Sequence, residues 1–255
     1  MNFPASRSKV ERANKHILDL NELLNTFTKS DFYSVSVKKN KGSNYLFFDI
    51  DRTGFPGTDA ALITGDAIHN LKSALDLLYY QAVEAATGST ESYTRFPIRD
   101  TRENLETALN GGLKKKATTD NPHPGLICDL LMDIVKPYTA GNYPLWALHE
   151  LNIRDKHQLL IPVFEVMRFM NICLEDDKHI SFPEGRFFAL DASSSFKLNR
   201  EGNLTVKNKG NAATAILFNV GIPYASQSVI QALYEIAESV TRAIDAFEML
   251  PTRYR

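Results

Sequence analysis

Six short runs rich in Val, Ile and Phe lie between about Gln158 and Pro223: "LLIPVFEVMRFMNICLE", "HISF", "RFFAL", "SFKLN", "NLTVKN" and "ATAILFNV". The pieces between them, such as "PEG", "REGN" and "NKGN", are too short to hold a crossover helix. Strands joined that tightly pair antiparallel, which argues against a doubly wound parallel sheet.

On either side of this segment the hydrophobic period is that of a helix. "SRSKVERANKHILDLNELLNTF" puts Val10, Ala13, Ile17, Leu20 and Leu24 on one side, and "SQSVIQALYEIAESVTRAIDAFEML" does the same with Ile230, Leu233, Ala237, Val240, Ile244 and Phe247. A long helix is predicted from about Asp59 to Ala86. A short one over "TRENLETALNGG" is stopped by Gly111 and Gly112. Further helices fit "LICDLLMDIVKPY" and "YPLWALHELNIRDKH", the second with Pro144 in its first turn. "KKKATTDNPHPG" reads as a mobile surface loop, and "FYSVSVKK" with "NYLFFDID" as a hairpin around "NKGS". The expected class is α+β. N-terminal, central and C-terminal helices form a bundle beside an antiparallel sheet built mainly from residues 158–223, with an N-terminal β-hairpin in addition. One domain over 1–255 is expected, helical over about 5–157 and 225–250.

A formal net charge of −1, from 29 basic and 30 acidic side chains, offers no global field for nucleic acid or an anionic membrane. The basic runs "LKKKA" and "VKKNK" read as solvated loops. Cys128 and Cys173 are too few and too far apart for a disulfide framework and read as buried thiols. "MNFPASRSKVERANKH" lacks the apolar stretch of a signal peptide and no apolar run reaches membrane-spanning length, so a cytoplasmic location is expected.

Two helices carry polar seams. In "GDAIHNLKSALDLLYY", Ile68, Leu71, Ala74, Leu75 and Leu78 share the apolar side, while His69, Lys72, Ser73, Asp76 and Tyr80 fall on the remaining arc. In "YPLWALHELNIRDKH", Leu145, His149, Asn152 and Lys156 form one stripe. Ile153 and Trp146 flank it on one side, Leu148 and Leu151 on the other, and Asp155 sits beside it. Polar residues with apolar shoulders must find partners, because an unsatisfied buried polar group costs roughly 1–3 kcal/mol. The two seams are therefore expected to approach each other, with Asp76 near Lys156 or His149.

The chemistry open to them is limited. No H-E-x-x-H and no Cys pair supports a metal, and neither metal nor cofactor is expected. His69, Ser73 and Asp76 have the residue types of a hydrolytic triad, but one straight helix cannot arrange them as nucleophile, base and orienter. His69, Asp76, His149 and Lys156 are the candidates for acid–base or anion chemistry, with Asn70, Ser73, Asn152, Asp155 and His157 as binding or structural members. No phosphate loop occurs.

"GDAIHNLKSALDLL", then "FPI", then "LNIRDKHQLL" resembles a family of uncharacterised bacterial proteins with the pattern H-N-L-[RK]-S-A-L-D, F-P-I and N-x-x-D-K-H, over about Gly65 to Leu160. The resemblance implies that Asn70, Asp155 and His157 join His69, Ser73, Asp76, Asn152 and Lys156 as signature positions, and implies no activity. The HEPN nucleases, which use an Arg followed by four to six residues and a His, are a more distant comparison; Arg154–His157 and Arg12–His16 are too closely spaced. Three readings follow. The favoured one is an architectural network with binding surfaces elsewhere. The second is a cleft for a nucleotide or other phosphorylated small molecule, and the third a divergent HEPN-like RNase or defence effector. A homodimer through a terminal helix fits any of them.

Overall fold

The computed structural model describes residues 1–39, 46–89, 94–159, 162–176, 185–187, 194–198 and 204–250. It is an α+β protein that divides into two compact units.

The helical unit comprises Met1–Asn21, Thr58–Pro162 and Phe218–Arg255. It holds most of α1 (Pro4–Lys29), together with α2 (Gly57–Thr87), α3 (Arg102–Gly111), α4 (His123–Asp129), α5 (Tyr143–His157) and α6 (Val229–Glu248). The predicted apolar stripes are its core. Val10, Ala13, Ile17 and Leu20 of α1 are buried, as are Leu233, Ala237, Val240, Ile244 and Phe247 of α6, while Ile230 is half-buried. Each large side chain removed from water contributes about 1.5–3 kcal/mol before chain entropy is counted. Buried α2 residues are mostly Ala, Leu and Ile, and the alanines let neighbours approach closely. The start of α1 is fastened to the end of α6. Arg7 reaches Asp245 at 2.7 Å and Glu248 at 2.6 Å, and Phe3 meets the Phe247 ring edge-on at 6.5 Å.

Caps fix the helix starts: Thr101 for α3, Asn142 for α5 and Ser228 for α6 each accept a backbone N–H through the side chain. Two sequence expectations change here. "KKKATTDNPHPG" is anchored rather than loose: Leu113–Lys116 forms a 3₁₀ turn with Leu113 buried, and the Asn121 amide donates to Ala86 O at 2.8 Å. "LICDLLMDIVKPY" is not one α-helix, because after Asp129 the chain widens into a π-helical stretch, Leu130–Val135. Lys136 ends it in the left-handed region at φ 52°, before Pro137, which has no N–H to continue a helix. Gly141 is required here, since a Cβ would lie 2.5 Å from Lys136 O.

The second unit, Glu22–Gly57 and Val163–Leu217, takes in the last turns of α1 and the strands. β1 (Tyr33–Lys39) and β2 (Leu46–Arg52) form the expected hairpin, which β5 (Ser194–Leu198) extends to a three-stranded antiparallel sheet. β3 (Val163–Asp176) pairs antiparallel with β4 (Gly185–Phe187), β6 (Leu204–Asn208) and β7 (Asn211–Leu217). Its partner changes from β7, last paired at Met170, to β6, first paired at Cys173, and Asn171 between them has a φ of 60°. Phe32, Tyr33, Ile172 and Leu174 form the core, with Phe27, Val35, Val37, Leu204 and Val206 against it. "HISF" and the turn "NKGS" lie outside the described residues. Among the described residues no helix is long and apolar enough to cross a membrane.

Candidate functional site

The site is built from α2, α5 and the segment 94–100, all within the helical unit. Lys72 follows Leu71 and sits one turn from Ile68 and Leu75, so its stem runs among apolar side chains and only 6% of the residue is exposed. Its ammonium is satisfied by Asp76, one turn on, through a short ion pair. Asp76 Oδ1 also accepts the Phe96 N–H at 3.0 Å. Phe96 and Ile98 are buried, so one carboxylate joins a buried lysine to the backbone of an apolar anchor. Burial lowers the Lys72 pKa, which Asp76 opposes while Lys156 and Arg95 add to the lowering.

The arc on α2 therefore splits. His69 and Tyr80 face solvent, and Ser73 Oγ lies 3.5 Å from His69 Nε2 at the surface. Asn70 donates to Asp66 O at 2.8 Å and accepts from Lys9 of α1 at 3.3 Å. With Asp76 engaged by Lys72 and Phe96, no His–Ser–Asp relay is assembled.

On α5, Leu145 and Asn152 are buried, His149 is half-buried, and Lys156 and His157 are exposed. Ile153, a predicted shoulder of the seam, is also exposed. α2 and α5 approach each other closely at Gly65, where a Cβ would lie 2.6 Å from Asp155 Oδ2. A larger residue there would require that carboxylate to move.

Towards the other end of the seam stands His149. Its pKa is lowered by burial first and then by Lys72 and Arg99, against which Asp76 and Asp100 pull upwards. Its Nδ1 is buried and has no hydrogen-bond partner among the described residues. Asp100 accepts from the Trp146 indole N–H at 2.9 Å, and Arg99 donates to Ile98 O at 2.7 Å. Asp76 thus acts electrostatically on His149, and Lys156 on Lys72. Among the described residues, no group of three or more His, Cys, Asp and Glu side chains is placed to hold a metal ion.

The chain matches no family model, no curated protein and no solved structure. The site's chemistry is read from its own geometry.

Arg95, Arg99 and Asp100 are members that sequence reasoning left out, and Lys72 and Phe96 stand there only on the arc and in the F-P-I motif, without a role at the site. Lys72 was visible as a lysine bordering the apolar side four residues before an aspartate, a spacing that allows an ion pair. "RFPIRD" reads only as a loop anchor, since nothing local shows which helix receives its backbone. Neither Cys128 nor Cys173 is in a disulfide. Cys128 is buried and pushed up to about 11 by that burial, whereas Cys173 is only half-buried, contrary to expectation.

Proposed function

We propose that the Lys72–Asp76–Phe96 arrangement is an architectural clamp, holding the segment 94–100 against α2 so that its polar residues stand beside α5. The observation that carries this is Asp76 Oδ1, which meets both the Lys72 ammonium and the Phe96 amide. Removing one partner of a largely buried ion pair leaves the other uncompensated, which is costly, whereas an apolar replacement of similar shape can be nearly neutral. The exposed His69 and half-buried Ser73, 3.5 Å apart, make no hydrogen bond to Lys72, Asp76 or Phe96 and take no part in the clamp.

The test is Asp76→Ala, because an asparagine Oδ1 would still accept the Phe96 N–H. The melting temperature should fall, and the Phe96 amide should lose protection from hydrogen exchange ahead of the α2 core amides. Unchanged protection at Phe96 would remove the clamp from the account.

A further inference from the structure

α1 and α6 lie side by side and run in opposite directions, since Arg7 near the start of α1 is bound to Asp245 and Glu248 at the end of α6. Further along this pair a groove opens at the surface, lined by Asn14 and Leu18 of α1 and by Tyr234, Ala237, Glu238 and Thr241 of α6. The small, buried Ala237 leaves the space, while Leu18 is 58% and Tyr234 44% exposed. Both helices rise by about 1.5 Å per residue, so the levels of Arg7 and Leu18 set the register between them. In that register Glu11 stands level with Arg242 and Lys15 with Glu238, and all four are exposed. Glu238 and Arg242 pair with each other at 2.9 Å, and among the described residues neither Glu11 nor Lys15 is in an ion pair.

We propose that this α1–α6 face binds a second copy of the chain about a two-fold axis parallel to the helices. Such an axis keeps every residue at its level and lays α1 of one copy over α6 of the other. Leu18 of each copy then enters the other copy's groove beside Tyr234. Glu11 meets the other copy's Arg242 and Lys15 the other copy's Glu238, so the signs are opposite at both levels. The Glu238–Arg242 pair within each chain gains a further partner at each end. Apolar groups and opposite charges in matching order are what a self-complementary face requires, which favours a second copy over an unrelated partner. A face two helices wide and about 30 Å long covers roughly 600 Å² per copy, near the lower end of specific interfaces. Association is therefore expected in the micromolar range.

Sedimentation velocity on the full chain, from micromolar to submillimolar concentration, tests this. The parent should pass from monomer to dimer. Lys15→Glu and Glu238→Lys change exposed residues, and circular dichroism should show both folded. Each should weaken dimerisation by about tenfold or more, because two attractive contacts per dimer become repulsive. Mixed one to one, the two variants should associate again, since both contacts of the mixed dimer then join opposite charges. That rescue separates contact between copies from any effect within one chain. Leu18→Glu should be monomeric throughout. A parent that stays monomeric over the whole range would overturn the proposal, as would a dimer that all three variants leave unchanged, or a mixture that does not associate.

Discussion

Two side-chain ends on the α2–α5 seam, the Lys72 ammonium and the His149 imidazole, are treated in opposite ways. The buried Lys72 cation is met at once by a carboxylate one turn away, and that carboxylate takes a backbone N–H as well. The half-buried imidazole of His149 feels Lys72 and Arg99 against Asp76 and Asp100, and among the described residues its buried Nδ1 has no hydrogen-bond partner. The first is a closed end, in the sense that its polar groups answer one another, and the second an open one. The difference teaches that a polar stripe between helices is not one device: neighbouring polar groups on it can be satisfied to different degrees.

Removing the carboxylate altogether is the harshest way to test the closed end. Asp76→Ala should cost about 3 kcal/mol, because Lys72 stays buried without its partner and the Phe96 N–H loses its acceptor. Chemical denaturation checks this, and a cost below about 1 kcal/mol would erase the contrast between the ends. Lys72→Met should cost less, about 1 kcal/mol, since the stem's packing is kept and the half-exposed Asp76 still accepts from Phe96. In the double variant Lys72→Met/Asp76→Ala the two losses should fall short of additivity, the signature of direct coupling.

Much of the helical unit was legible because burial and period coincide. Val10, Ala13, Ile17 and Leu20 recur at helical spacing and are the residues that face inward. The strands were legible from alternation and turns, but not the three-way pairing of β3, whose partner changes from β7 to β6 between Met170 and Cys173 with no local pattern to announce it. At the site, Asn152 reads as a polar residue between apolar shoulders, and it is buried, although one shoulder, Ile153, is exposed. His69 was not separable from Asp76 by helical angle alone. Which part of a wide polar arc turns inward is decided by neighbours distant in sequence, here Phe96 and the residues around it.

Gly65 marks where the two helices draw together. Alanine should gain up to about 1 kcal/mol of helix propensity there, but its Cβ would meet Asp155 at 2.6 Å. Gly65→Ala should therefore change stability little or lower it slightly. In an Asp155→Ala background the same change should stabilise by roughly 0.5–1 kcal/mol. Equal effects in both backgrounds would mean that Asp155 swings aside freely and does not set the helix spacing.

The smallest effect is expected at the open end, where it appears as a pH dependence. Burial, Lys72 and Arg99 hold the His149 pKa below its ordinary value. The unfolded chain then binds a proton at about pH 6.5 that the folded chain takes up only at lower pH, so stability falls as pH drops through that window. Above the window, His149→Gln should match the parent within about 0.5 kcal/mol. Inside it the variant should lose less stability than the parent, while the remaining histidines titrate alike in both. Parallel pH curves with and without the imidazole would show that the ring is solvated like any surface histidine, and the two ends of the seam would then differ in partners but not in electrostatic state.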